Sequence, residues 1–111
     1  MILEAQKVGS SLIVSLSGEL DLETSPAFRE LVEEKLNHYE SIKHLILDLN
    51  KVSFIDSSGL GVILGQYKRL SQRGGRLSAI NVSQTIQRIL GLSGLLKIIR
   101  VYRDRQQALD S

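Results

Sequence analysis

Short apolar runs suited to β-strands alternate along this chain with segments in which apolar residues recur at helical spacing. Leu12, Val14 and Leu16 occupy every second position of one run, as in a strand with one well-buried face. Phe28, Leu31 and the apolar residues that follow them instead recur at the spacing of a helix. Because strands that alternate with helices build a sheet covered by helices, the pattern predicts a single α/β domain with a mixed sheet of four to five strands.

Capping and turn residues predict where these elements begin and end. Gly9-Ser10 is expected to form a hairpin turn, Thr24-Ser25-Pro26 to open the first helix with a hydroxyl cap, and Gly74-Gly75 to end the second helix. The predicted strands cover residues 1–8, 12–17, 44–49, 77–80 and 96–101, and the run 52–55 leads into the second helix. The predicted helices cover about 26–39, 57–73, 84–93 and 104–109, the third being capped by Ser83 and ended by Gly94.

Length and composition limit the classes of protein that need to be considered. A chain of 111 residues forms one hydrophobic core, so we expect one domain over 1–111 with a core of about 3–109. The absence of cysteine excludes disulfides and cysteine-based zinc sites, and we expect no metal site. No apolar run approaches 18 residues and the N-terminus lacks a signal-peptide pattern, so we expect no membrane span and a cytoplasmic location.

Charge is distributed unevenly along the chain. Residues 1–56 hold ten acidic and five basic residues, whereas residues 57–111 hold nine basic and two acidic residues. A basic half can serve a nucleic acid or an acidic protein surface, or it can consist of solvated outer faces. Because the chain has only five aromatic residues, no pattern of interleaved aromatic and basic residues is present, and we expect no direct binding of nucleic acid.

The segment Asp56–Gly59 lies where an apolar run meets a predicted helix start, and it contains two serines. A helix start leaves backbone N–H groups without partners and carries partial positive charge, so it can hold a hydroxyl cap or an added phosphate. The residues alone leave both interpretations open, and spacing does not choose between Ser57 and Ser58.

Three glycines, Gly59, Gly61 and Gly65, lie within the helix that follows, where each costs about 1 kcal/mol relative to alanine. Gly61 and Gly65 share a helix face with Ser58 and leave a smooth strip to which another backbone can approach closely. The glycines pack on the protein's own sheet, or a partner protein docks along the strip, or each alternative holds for different glycines, and the sequence leaves these alternatives open.

Motifs for nucleotide binding and serine hydrolysis are absent. A dinucleotide-binding loop would need glycine where Leu64 stands, the Walker A pattern is missing, and neither serine has glycine two residues before it. The two histidines, His38 and His44, are remote in sequence from Ser57. We therefore expect that this protein is not an enzyme. A small serine hydrolase or nucleotide-hydrolysing enzyme is the remote alternative, and turnover by the purified protein without a kinase would reveal it.

The string Phe54–Gly65, FIDSSGLGVILG, closely resembles the segment around the phosphorylated serine of the STAS-domain anti-sigma factor antagonists, most closely those of sporulation. Gly18–Asp21, Gly74-Gly75 and Leu92–Ile99 resemble the family's first turn, its mid-chain turn and its late passage from helix to strand. These segments occur in the family's order and span nearly the whole chain.

The resemblance implies a switch controlled by phosphorylation of Ser57, the first serine after the aspartate. The unphosphorylated domain would bind an anti-sigma factor that is also a serine kinase and so free a sigma factor for transcription. The kinase would then phosphorylate Ser57 with its own ATP, which ends binding, and a serine phosphatase would restore the unphosphorylated form. This chain would need no cofactor and would be a monomer when free.

The resemblance and the glycine strip together imply a set of partner contacts. These are Asp21, Asp56, Ser58, Gly59, Gly61 and Gly65. Within the same family, the alternative is an antagonist or stressosome-type scaffold of the general stress response, which would share the fold and the site.

Overall fold

The computed structural model describes residues 1–111 as five β-strands and four α-helices. The strands are β1 (Ile2–Val8), β2 (Ser11–Leu20), β3 (His44–Ile55), β4 (Arg76–Ile80) and β5 (Arg100–Tyr102). The helices are α1 (Ser25–His38), α2 (Ser57–Gln72), α3 (Gln84–Leu92) and α4 (Arg105–Leu109), and a 3₁₀ turn covers Leu95–Lys97.

The five strands form one mixed sheet in which spatial order equals chain order, β1-β2-β3-β4-β5. β1 and β2 are antiparallel and are joined by the predicted hairpin turn, where Gly9 adopts the left-handed backbone conformation. β2 to β5 are mutually parallel, and a helix connects each of these strands to the next. The predicted α/β class and the mixed sheet are therefore confirmed.

The hydrophobic core lies mainly between one face of the sheet and the helices α1, α2 and α3. Leu12 and Val14 of β2 face this core, while Ile13 between them faces the other side of the sheet. There Ile13, Ile46 and Ile80 pack against Ala108 of α4. Because the central strands are buried on both faces, their sequences are almost continuously apolar.

Three strand boundaries differ from those expected. β2 does not end at residue 17 but continues to Leu20, so Gly18, Glu19 and Leu20, which resemble a turn in the sequence, belong to the strand and pair with β3. β3 does not end at residue 49 but continues to Ile55, because β2 pairs with it from Ser11 opposite His44 to Leu20 opposite Ile55, with two register shifts between these ends. β5 begins only at Arg100. Before it, Gly94 adopts a left-handed conformation and the chain forms the 3₁₀ turn, so residues 96–99 do not form the predicted strand.

A buried histidine lies at the start of β3. The Nε2 atom of His44 lies 2.7 Å from Oγ of Ser78 on β4, and both residues are buried. Burial, with a smaller contribution from the positive charge of Arg76, lowers the pKa of His44 to about 4. The imidazole is therefore neutral near pH 7.

We expect His44 to make the protein sensitive to mild acid. An unfolded histidine has a pKa of about 6.5, so between about pH 6.5 and pH 4 the unfolded state binds a proton that the folded state does not. The free energy of unfolding therefore falls as the pH is lowered through this range. Urea denaturation at about pH 7.5 and about pH 5 measures this effect. From the higher to the lower pH, the free energy of unfolding should decrease by about 1–2 kcal/mol more in the wild type than in His44→Gln. Equal losses in both proteins would contradict this role of His44.

Candidate functional site

The junction between β3 and α2 is organised by the side chain of Asp56. Its Oδ1 accepts a hydrogen bond of 2.9 Å from the backbone N–H of Gly59, so Asp56 is the N-cap of α2. Ser57 and Ser58 are the first two residues of the helix, and neither hydroxyl forms a hydrogen bond within the chain. The interpretation in which a serine hydroxyl caps this helix is wrong, because the aspartate before them occupies the cap position.

The two serines differ in exposure. Ser57 is exposed, whereas Ser58 is half-buried and lies closer to α1. Position within the first helical turn places both near backbone N–H groups that lack helical partners. An added group can therefore reach Ser57 from solvent without displacing any intramolecular hydrogen bond of its side chain.

Asp56 also connects this junction to the loop between β2 and α1. Its Oδ2 accepts a hydrogen bond of 3.3 Å from the backbone N–H of Leu22, and its own backbone N–H donates to the carbonyl oxygen of Leu20 at 3.1 Å. A single residue therefore holds the start of α2 and the β2–α1 loop together.

Asp21 shapes that loop from within. Its Oδ1 accepts hydrogen bonds of 3.0 Å from the backbone N–H groups of Glu23 and Thr24, and these bonds, chiefly that from Thr24, lower the pKa of Asp21. The loop presents the Leu22 side chain to solvent with 75% of its surface exposed. Asp21 is thus engaged inside the loop, and the exposed group nearest to it in sequence is apolar.

The predicted hydroxyl cap of α1 is not formed. The Thr24 hydroxyl donates to the carbonyl oxygen of Glu19 at 2.8 Å and accepts from the backbone N–H of Asp21 at 2.9 Å. It therefore stabilises the loop and does not cap the helix. Ser25, the other candidate, is the first helical residue, and its Oγ is buried without a hydrogen-bond partner.

The three helical glycines have two different roles. Gly59 is buried, and a Cβ atom there would lie 2.3 Å from the carbonyl oxygen of Leu20 and 2.8 Å from Cγ2 of Ile55. Gly59 is therefore a packing position and not part of an exposed contact surface, which corrects its predicted place. Gly61 and Gly65 are exposed, and nothing lies within 4 Å of a Cβ added at either position, so they do not pack on the protein's own sheet.

An open groove of about 390 Å³ lies between α1 and α2, and we call it the α1–α2 groove. It is lined by Leu22, Ser25, Pro26, Arg29, Glu33, Ser58, Gly61, Val62, Gly65 and Gln66. The structure thus brings three predicted site residues, Ser58, Gly61 and Gly65, to one surface, and it places Asp21 and Asp56 in the loop and cap at its end. Helical spacing within α1 alone could not show which α1 residues would face this strip.

The histidines do not support hydrolase chemistry at Ser57. His44 lies at the opposite end of β3 from the serine and is paired with Ser78, and His38 is the last residue of α1, whose first turn is the part near the site. No cluster of three or more histidine, aspartate or glutamate side chains is arranged to hold a metal ion. None of the helices is both long and apolar enough to span a bilayer.

Comparison with known proteins identifies the family. Residues 3–108 match the STAS domain family. The anti-sigma F factor antagonist of Paenibacillus polymyxa is 44% identical over 98 residues, which cover 88% of this chain and 83% of that protein. The anti-sigma-B factor antagonist of Listeria monocytogenes is 36% identical over 90 residues, covering 79% of this chain and 75% of that protein.

Solved structures agree in fold. The anti-sigma factor antagonist SpoIIAA in its unphosphorylated form superposes with a TM-score of 0.78 at 23% identity, covering 98% of this chain and 96% of that one. The phosphorylated form of SpoIIAA, a Bacillus cell fate determinant, gives a TM-score of 0.76 at 24% identity, with coverages of 98% and 97%. This chain belongs to the STAS domain family, as its motifs predict.

The different surroundings of the glycines predict opposite effects of the same substitution. Gly61→Ala and Gly65→Ala add a methyl group in open space and improve helix propensity, so each should raise the free energy of unfolding by about 0.5–1 kcal/mol. Gly59→Ala should lower it by about 1–3 kcal/mol, because the methyl group meets the Leu20 carbonyl oxygen. Urea denaturation of the three variants measures both effects, and a loss of stability in Gly61→Ala would show that the strip is packed.

Proposed function

We propose that this chain is an anti-sigma factor antagonist whose binding to an anti-sigma factor is switched off by phosphorylation of Ser57. The observation that carries the proposal is the position of Ser57, which is exposed at the first position of α2, next to the groove residue Ser58, and whose hydroxyl makes no hydrogen bond within the chain. The names of the relatives support the same function, since they are antagonists of anti-sigma F and anti-sigma-B factors.

In the unphosphorylated state, the domain binds an anti-sigma factor that is also a serine kinase, and the sigma factor is released for transcription. The contact surface combines the α1–α2 groove with the loop that Asp21 and Asp56 hold in place. Leu22, at the tip of that loop, supplies an exposed apolar side chain of the kind that is buried when a partner docks. Asp21 and Asp56 then act mainly by positioning Leu22.

Ser57 is a better phosphorylation site than Ser58 because a kinase must take the hydroxyl into its own active site. Ser57 is exposed, whereas Ser58 is half-buried and lines the groove. The resemblance to the family also assigns the modification to the first serine after the aspartate. The greater exposure of its side chain and the family motif therefore both favour Ser57.

Phosphorylation acts through local charge. A phosphoserine adds about −1.5 to −2 charge, which the first turn of a helix tolerates because its N–H groups and dipole favour an anion. A docked partner would instead have to bury that dianion, which is costly. SpoIIAA keeps a fold similar to this chain in both its unphosphorylated and its phosphorylated forms, which supports a switch at an interface without refolding.

The remaining components belong to the partners. ATP is the phosphate donor used by the kinase, a serine phosphatase returns Ser57 to its free form, and the chain itself is a monomeric binding protein without cofactor or catalytic activity. The 44% identity to an anti-sigma F factor antagonist favours a sporulation pathway. The lower identity of 36% to an anti-sigma-B factor antagonist keeps the stress response as the alternative pathway, and titration with each type of kinase distinguishes the two.

Replacement of Ser57 should separate folding from switching. Ser57→Ala should stay folded, because the cap of α2 is Asp56 and not this serine. It should bind the anti-sigma factor kinase, and it should gain no phosphate in intact-mass measurements with kinase and ATP. Ser57→Asp should bind at least about tenfold more weakly than Ser57→Ala, since burying one charge imitates part of the phosphate effect.

Ser58→Ala is the matched control and should still gain one phosphate. If Ser57→Ala gains a phosphate while Ser58→Ala does not, the assignment belongs to Ser58. If Ser57→Asp and Ser57→Ala bind equally well, a charge-based switch is contradicted.

A further inference from the structure

Two buried polar atoms at the α1–α2 groove have no hydrogen-bond partner. They are Oγ of Ser25 on α1 and Oε1 of Gln66 on α2, and the two residues are only 6% and 2% exposed. The great majority of buried polar atoms in folded proteins are paired, because an unpaired one has lost its hydrogen bonds to water without replacement. Two such atoms from facing helices in one groove therefore require an explanation.

The same groove contains Gly61 and Gly65, which also weaken the free protein. Each lowers helix propensity, and no atom of the chain lies within 4 Å of the position that a Cβ would occupy. Ser25, Gln66 and the two glycines thus all reduce the stability of the isolated domain, and none of the four is explained by packing within the chain. Features of this kind cluster at functional sites, where binding compensates for them.

We propose that the α1–α2 groove receives a segment of the anti-sigma factor and that an amide side chain of this segment hydrogen-bonds to Gln66 and Ser25. The proposal rests on the proposed function and specifies how the partner is recognised. The missing side chains at Gly61 and Gly65 allow the segment to approach the backbone of α2 closely. A rotamer change of Gln66, which is common when proteins bind, turns its amide towards the partner.

The unpaired atoms favour a neutral amide over a charged group, and the rim charges do not oppose this choice. Arg29 and Glu33 lie one helical turn apart on α1, both line the groove, and neither forms an ion pair within the chain. Their opposite charges do not select a cation or an anion, whereas a charged side chain would have to be buried against Ser25 and Gln66, which is costly. An asparagine or glutamine side chain has both a donor and an acceptor, so it matches the Gln66 amide and the Ser25 hydroxyl without adding charge.

The groove also connects recognition to the switch. Ser58 lines one end of it, and Ser57 is the adjacent residue. A segment that fills the groove therefore reaches Ser58, whose neighbour Ser57 lies outside the groove at the start of the same helix. A phosphate added to Ser57 would lie near this end of the groove, so we expect the phosphorylated domain to bind the segment more weakly than the unphosphorylated domain.

Affinity and stability of three variants test the proposal. Gln66→Leu and Ser25→Ala remove the unpaired atoms, so their melting temperatures should equal or exceed that of the wild type, while the Kd for the anti-sigma factor kinase should rise about 5- to 30-fold. Gln72→Leu is the matched control, because Gln72 is exposed on the last turn of the same helix and lies outside this groove. Its affinity should be that of the wild type.

A second measurement uses the wild-type protein. The side-chain amide resonances of Gln66 should shift in NMR spectra when the kinase is added, and those of Gln72 should not. If Gln66→Leu fails to fold, the affinity of Ser25→Ala and the shift of the Gln66 resonances in the wild type test the proposal instead. A wild type that does not bind the kinase overturns the proposed function. A wild type that binds, with both groove variants at wild-type affinity and the Gln66 resonances unmoved, overturns only the proposal for the groove.

Discussion

The arrangement of the candidate site depends on one carboxylate, that of Asp56. One of its oxygens caps α2 through Gly59, and the other holds the β2–α1 loop through Leu22. Both bonds require the start of α2 to lie directly against Leu20, which is possible only because residue 59 has no side chain. The capping bond is worth roughly 0.5–2 kcal/mol in typical helices, yet here it also fixes where Ser57 and Leu22 lie relative to each other.

The α1–α2 groove shows a balance between stability and binding. The core beneath it is well packed, with Phe28, Val32 and Ile63 fully buried. At the groove itself, glycines and unpaired polar atoms replace the side chains that would stabilise the free domain. A surface that is optimised for its own fold leaves little to gain when a partner docks, whereas this one has unpaired polar atoms and open space that the proposed partner segment would fill.

Much of the fold was predictable because its signals are local. The alternation of strands and helices, the Gly9-Ser10 hairpin and the Ser83 cap of α3 all follow from neighbouring residues and are found in the structure. The predicted strand ends were wrong where pairing with a strand distant in sequence determines how far a strand extends. β3 continues through the polar residues Asn50 and Lys51 because β2 pairs alongside it, a contact that no local pattern reveals.

The candidate site was predictable in part. Motif and spacing located Ser57 and the strip of Gly61 and Gly65, but three glycines in one helix look alike in a sequence. Gly59 differs from the other two only because the carbonyl oxygen of Leu20 lies where its Cβ atom would be, and the sequence does not show this contact. The place of Gln66 in the groove and its unpaired Oε1 were not predicted, because whether a buried glutamine has a hydrogen-bond partner depends on the side chains of the neighbouring helix.

The order of strands in the sheet has a consequence for how the domain is made. Since each strand lies beside the one synthesised before it, the sheet can grow by addition at one edge as the chain leaves the ribosome. The elements that build the site, from β2 to α2, occupy the continuous stretch 11–72. We therefore expect the switch region to take shape early in synthesis, with β4, β5 and the flanking helices added afterwards to an edge that already exists.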